Sequence, residues 1–326
     1  MNTTLPFEEY FHQTKSPLYS PRFILIIGSG VHKEFLRICT KEACNFKCWK
    51  HLLISLAESE GLTIRPSNFP IVDFEKLVVE CTGKNSSGPN SKPANQVEQS
   101  LLKKIKDLLQ TNKLSSDDLD SYPLEIFNPK YISDVINLNF DLVIEETLAQ
   151  KINQKSWLKV KSYSSTPQDG ALEGIYKLAN FQYREINKIK FWHPHGDIKH
   201  LNSMILGLRK YGMQIQHIEK LRKYYKSSSS NKPKYETWLD PLMKQPILIL
   251  GADLSQNEWD ILFALISKKR NRARLGSDEP IFQMSENHTN SNLRDWAAPI
   301  SKEPLSFREQ WNLLLELFKT KTHEKK

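Results

Sequence analysis

The chain has no apolar run long enough to cross a bilayer, which excludes a membrane-spanning helix. Mean hydropathy is −0.52, and the longest apolar runs, such as Phe23–Ile27, suit buried strands. The segment from Met1 to Tyr10 lacks the basic-then-apolar order of a secretory signal, so a cytoplasmic protein is expected. Cysteine is scarce: the four are Cys39, Cys44, Cys48 and Cys81. Their spacings include no Cys-x2-Cys pair, so no metal is expected, and reduced thiols on or near a helix face are the simpler account. Cys44 and Cys48, if helical, would lie one turn apart. Acidic residues are in deficit: the net charge is +9 and the pI about 9.1. The basic residues are spread out, with local runs at Lys268–Arg274 and Lys319–Lys326, and no helix-turn-helix, zinc-finger or aromatic RNA-binding motif accompanies them. Direct nucleic-acid binding is therefore not expected. The runs read as solvated faces, and the charge suits an anionic ligand or an acidic partner.

The 326 residues, 39% of them hydrophobic, fit a single domain spanning 1–326 with a sizeable insertion. Four apolar runs read as buried strands: Phe23 to Ile27, Val135 to Phe140, Ile189 to Trp192 and Ile247 to Leu250. Each ends in small or polar residues. Near-continuous apolar runs imply strands covered on both faces, and so an α/β fold: a Rossmann-like parallel sheet with helices on both faces. In such sheets ligands bind beyond the carboxyl ends of the strands, which would set all four polar clusters along one rim. Apolar stripes at Leu101–Leu109, Trp259–Ile266 and Trp311–Phe318 predict helices. The interval 33–130 reads as a mostly helical insertion or lid. Gly83–Asn95 and Lys226–Lys234 read as loops, and no internal repeat is evident.

At the first strand end, Gly28-Ser29-Gly30 lets the backbone turn tightly and approach a phosphate, with a following helix aimed at the same anion. No third glycine follows at dinucleotide-fold spacing; position 33 is lysine. An ordinary strand-to-helix turn accounts for the glycines equally well. Asn139 and Asp141 at the second strand end can bind ribose hydroxyls or orient water, or Asp141 can simply cap the next helix. His193-Pro194-His195-Gly196-Asp197 holds two histidines in a constrained turn, where one can serve as a general base and either can be a structural, hydrogen-bonded group. His200 reads as solvent-facing. At the last strand end, Gly251 admits close approach of a cofactor, and Asp253 can cap a helix or accept from a ribose hydroxyl.

The ordered set resembles the SIR2-like (sirtuin-type) family, most nearly the bacterial NAD-cleaving effectors of antiphage defence. Gly28-Ser29-Gly30-Val31 is similar to the family's cofactor loop, and Asn137-Leu138-Asn139-Phe140-Asp141 to its Asn-aromatic-Asp motif. His195-Gly196 resembles the catalytic His-Gly. Ser203 to Leu206 with Tyr211 resembles the segment that follows it, and Leu250 to Leu254 the late Gly-x-Ser-Leu motif. Trp49-x-x-Leu52-Leu53 resembles an early helix. His32, Asn137, Leu138 and Asp253 depart from the pattern. The resemblance implies Asn139 and His195 as catalytic residues. It implies NAD+ binding through Gly28, Ser29, Gly30, Val31, Asn139, Asp141, Gly251 and Asp253. Deacylating sirtuins carry four zinc-binding cysteines after the histidine; here every cysteine precedes His195. The resemblance thus implies an NAD+ glycohydrolase (NADase), a hydrolase acting in abortive infection and held in check by a regulatory or sensor partner, a nucleotide signal or homo-oligomerisation. Related chains pair with Argonaute-like proteins, HerA-type ATPases or nucleotide-pyrophosphatase-like proteins. A deacylase or ADP-ribosyltransferase, or a regulatory subunit that binds NAD+ without cleaving it, is the alternative.

Overall fold

The computed structural model describes residues 5–14, 22–36, 48–67, 69–85, 93–110, 114–115, 117, 120, 122–152, 182–226, 236–252, 254, 258–270, 279–284 and 297–319. The seven strands among them are β1 (Phe23–Ile27), β2 (Ile132–Asn137), β3 (Tyr183–Ile186), β4 (Ile189–Trp192), β5 (Ile247–Leu250), β6 (Ile281–Gln283) and β7 (Ala298–Pro299). They form one sheet in the order β3-β4-β2-β1-β5-β6-β7. Every neighbouring pair is parallel except the β3–β4 hairpin at one edge. β1 is central, with β2 on one side and β5 on the other. The chain therefore changes direction beside β1, where an open α/β sheet offers a binding site.

Period-2 side-chain alternation divides the apolar runs between two faces. Phe23, Leu25 and Ile27 join one core with Val135, Phe191 and Leu248. Helices α1 (Phe7–Gln13), α2 (Gly30–Phe35), α3 (Trp49–Glu58), α4 (Pro70–Asn85), α5 (Ala94–Leu108), α6 (Val143–Lys151) and α10 (Phe307–Lys319) bury side chains in that core. Ile24, Ile26, Ile136, Trp192 and Ile249 join the other, under α7 (Gly207–Lys226), α8 (Leu239–Lys244) and α9 (Trp259–Arg270). Both faces are covered, which is why the strands read as unbroken hydrophobic segments. No described helix is long and apolar enough to cross a membrane.

Several boundaries differ from the sequence expectation. β2 starts at Ile132 and stops at Asn137, so Asn139 and Phe140 lie beyond the strand. Its polar start is satisfied inside the protein, since the Trp192 indole donates to Asp134 at 2.9 Å and the Ser133 hydroxyl donates to Gln245. Gly83–Asn85 and Ala94–Asn95 are helical, in α4 and α5, and Lys226 ends α7; 86–92 and 227–235 lie outside the described residues. Lys268 is no solvated cation. It is buried, and its ammonium donates to the carbonyls of Leu242 and Gln245 at 2.9 and 2.7 Å, capping the end of α8.

Candidate functional site

Strand register sets the rim. Ile27 lies level with Asn137 on one side and Leu250 on the other, and Ile136 with Trp192. The segments after β1, β2, β4 and β5 therefore emerge side by side. The turns after β1 and β5 seal against each other: the Gly30 N–H donates to the Gly251 carbonyl at 2.9 Å, and the Gly28 N–H to that of Leu250 at 3.0 Å. Gly251 has φ +63°, and a Cβ there would lie 2.5 Å from the Val31 nitrogen. A Cβ on Gly28 would lie 2.5 Å from the Gly251 oxygen. These glycines are required by loop-on-loop packing. Val31 is fully buried, and α2 is only six residues long.

Beyond β2, Asn139 is half-buried and Asp141 buried. The Asp141 carboxylate accepts from the Val143 N–H at 3.1 Å, fixing the start of α6, and its Oδ1 lies 3.1 Å from His32 Nε2. Asp141 therefore caps a helix and faces the site together. His32 is fully buried, the Tyr122 hydroxyl lies 2.7 Å from its Nδ1, and the Asn139 amide lies 3.1 Å from its Nε2. With the proton on Nε2, His32 donates to Asp141, and the Asn139 amide turns its oxygen to the ring. Burial pushes the Asp141 carboxyl up, but His32 and the Val143 N–H outweigh it and hold it below the ordinary range.

The two histidines after β4 face different partners. His193 places Nδ1 3.1 Å from the Asn139 carbonyl and Nε2 2.6 Å from Glu145. His195 places Nε2 3.0 Å from Asp260 Oδ2. The Tyr211 hydroxyl donates to Asp260 at 2.9 Å and accepts the Asp260 N–H at 3.1 Å. Burial pulls His195 down, but Asp260, Glu258 and the Leu138 carbonyl outweigh it and hold the imidazole above its ordinary value. Burial and Asp260 push the Tyr211 hydroxyl up, so it remains a donor. Gly196 has φ +82°, and a Cβ there would lie 2.1 Å from the Ser203 oxygen. Asp197 pairs with buried Arg184 at 2.8 Å and accepts the Lys199 N–H. Burial raises its carboxyl, but His200 and Arg184 prevail and hold it far below the carboxylate range. His200, expected in solvent, is partly exposed and also leans on Asp197 at 3.4 Å.

A small cleft of about 50 Å³ opens on the rim, lined by Gly28, Ser29, Leu138, Asn139, Asp141 and Glu258 among others. Trp49 of α3 closes one side, edge-on to Phe140 with ring centroids 4.9 Å apart. The structure thus brings together Gly28, Ser29, Asn139 and Asp141. Gly30, Val31 and Gly251 stand behind them as packing. His195 is not among the residues that line the cleft, its ring being turned to Asp260, and Asp253 lies outside the described residues. Cys48 is extended rather than helical, and its thiol sits 2.9 Å from His51 Nδ1; Cys81 is buried, and Cys39 and Cys44 are outside the described residues. Among the described residues no group of three His, Cys, Asp or Glu side chains gathers as a metal site. His32, Tyr122, Glu145, Tyr211 and Asp260 belong to the site, yet sequence reasoning assigned them no part in its chemistry. Their spacing from Asn139 and His195 carries no local signal, because the tertiary fold makes these contacts. Glu145, six residues after Asn139 on an otherwise apolar stretch, was the one readable exception.

No curated protein sequence matches the chain. The family model for the SIR2-like domain matches residues 133–299, from β2 through β7. That span contains Asn139, Asp141, both rim histidines and Asp260, which is over half the chain. This chain belongs to the SIR2-like domain family, whose members use NAD+.

Proposed function

We propose that the protein is an NAD+ glycohydrolase that releases nicotinamide and ADP-ribose, and that it serves as the toxic effector of a bacterial antiviral system. The observation that carries this reading is the cleft lined by Gly28, Ser29, Asn139 and Asp141 at the strand ends, with His195, in the neighbouring turn, held by Asp260. Nicotinamide leaves with the electron pair of the glycosidic bond, and positive charge grows on the ribose. Asp141, an anion held below the ordinary carboxylate range, stabilises that charge. Asn139 orients the water or a ribose hydroxyl. The water oxygen bonds to the ribose carbon, and its proton passes to His195 and on to solvent. His195 takes this part because His193 has both ring nitrogens committed to Asn139 and Glu145, whereas His195 engages Asp260 through Nε2. The absence of cysteines after His195 supports water rather than an acyl-lysine as acceptor. An enzyme that depletes NAD+ harms its host if always active, so activity is expected to depend on a partner protein, an oligomer or a nucleotide signal.

The test is nicotinamide release by wild type, Asn139→Ala, His195→Ala and His193→Ala, with and without the proteins encoded beside this one. Asn139→Ala and His195→Ala are each expected to lower release by about 10²–10⁴-fold. Release that survives both substitutions contradicts the reading. A second reading, binding without cleavage, draws on His32, which engages both Asn139 and Asp141 from within the protein. NAD+ binding without nicotinamide release under every activating condition would favour it.

A further inference from the structure

Four hydrogen bonds close a ring around Asn139. Glu145 Oε1 accepts from the Asn137 amide at 3.2 Å and faces His193 Nε2 at 2.6 Å. Asn137 Oδ1 accepts the Asn139 backbone N–H at 3.0 Å. His193 Nδ1 faces the Asn139 carbonyl at 3.1 Å. Glu145 and Asn137 are fully buried, and His193 is 4% exposed.

The donors and acceptors agree around the whole ring. An amide N–H and an imidazole N–H point at one carboxylate, and each of those side chains offers its other polar atom to a backbone group of Asn139. The two peptide planes that flank the Asn139 Cα are thereby held, one from each side. Fixing both planes fixes φ and ψ, and so the direction in which the Asn139 side chain enters the cleft. A buried carboxylate is costly unless it is paired and hydrogen-bonded. Here both of its partners converge on the same residue, and Glu145 sits in the first turn of α6, which Asp141 caps.

We propose that Glu145 is the positioning residue for Asn139, acting through Asn137 and His193 as the two arms of a clamp. The proposal rests on the reading of Asn139 as a residue that touches NAD+. Glutamine at 145 can keep both arms, its amide nitrogen donating to a neutral His193 ring and its oxygen accepting from Asn137. Methionine keeps the volume and drops both.

The experiment compares Glu145→Gln, Glu145→Met and Asn137→Ala in the full-length chain, with its activating partner where one is required. Nicotinamide release is measured against NAD+ concentration, and hydrogen–deuterium exchange of segment 137–141 is measured in the free protein. Glu145→Met is expected to lower kcat on the order of 10²-fold, as a misplaced group does, with KM changed less than about threefold. Glu145→Gln is expected to lose less than about fivefold. Exchange over 137–141 should rise about tenfold in Glu145→Met and little in Glu145→Gln. If Glu145→Met does not fold, Asn137→Ala cuts one arm and is expected to show the same kcat loss and faster exchange. Wild-type kcat in Glu145→Met or Asn137→Ala, or equal losses in Glu145→Gln and Glu145→Met, overturns the clamp while leaving the NAD+ reading intact. If wild type itself releases no nicotinamide, that reading fails, and exchange alone decides the clamp: faster in Glu145→Met supports it, unchanged refutes it.

Discussion

His193 and His195 stand two residues apart in one turn, and their hydrogen bonds give them different work. His193 is turned inward to the backbone of Asn139, while His195 is held by Asp260. The raised value of His195 has two consequences of opposite sign. Its folded-state value lies above the unfolded imidazole value of about 6.5. Its stabilising contribution is therefore complete below that pH and is lost as pH rises through the folded value. The base, in contrast, is the deprotonated ring, so nicotinamide release should increase as pH rises through the same value. The predicted pH profile of kcat has an acidic limb with an apparent pKa above about 6.5. Asp260→Asn removes the charge that holds the proton and should move that limb to lower pH. A limb at the same pH in wild type and Asp260→Asn would sink the assignment of His195 as the base.

Among the elements, the turns after the strands carry the strictest requirements. Gly251 and Gly196 combine a positive φ with neighbours that leave no room for a Cβ. Alanine at either position strains the backbone and pushes on another main-chain segment. Each substitution is predicted to cost about 2–4 kcal/mol, read as a lower denaturation midpoint with an unchanged m-value. Wild-type stability in Gly251→Ala would mean that the turns after β1 and β5 are not sealed as described. These elements also show what a sequence can reveal. β1 and β5 are legible to the residue because each is covered on both faces and so is apolar throughout, and β4 because Ile189, Phe191 and Trp192 are buried around a single partly exposed Lys190. The amino end of β2 was hidden by Ser133 and Asp134, whose partners Gln245 and Trp192 come from distant segments. β3 was missed because Tyr-Arg-Glu-Ile is an edge strand with polar members, turned by Asn187 and Lys188 at positive φ without a glycine. β6 and β7 were too short to register. In the site, Asn139, Asp141 and the His-x-His turn stood out because polar residues follow buried strands. Asp260 was read as part of an amphipathic helix, and nothing local connects it to His195.

At the scale of the whole molecule, the positive charge is dispersed. Lys104, Lys190, Lys199, Lys210 and Arg308 pair with Glu60, Glu236, Glu146, Glu98 and Glu34, and Lys268 caps a helix in the interior. A small anionic ligand such as the proposed NAD+ can be tested for by its effect on stability. Such a ligand, bound by the folded chain alone, stabilises it by mass action, about 2.7 kcal/mol at a concentration of 100 Kd. For a domain of this size that corresponds to a rise in Tm of about 4–6 °C. The cleft draws on the separated stretches Gly28–Ser29, Cys48–Leu52 and Leu138–Asp141 together with Leu109 and Glu258, so its occupant ties together distant parts of the fold. His195→Ala removes the base but leaves Gly28, Ser29 and Asp141 in place. In that variant NAD+ is expected to raise Tm as it raises that of a wild-type protein held inactive, without nicotinamide appearing. Asp141→Ala removes a wall of the cleft together with the partner of His32, and should abolish the shift. A Tm that NAD+ leaves unmoved in His195→Ala, in a protein otherwise folded as wild type, would place the nucleotide outside this cleft.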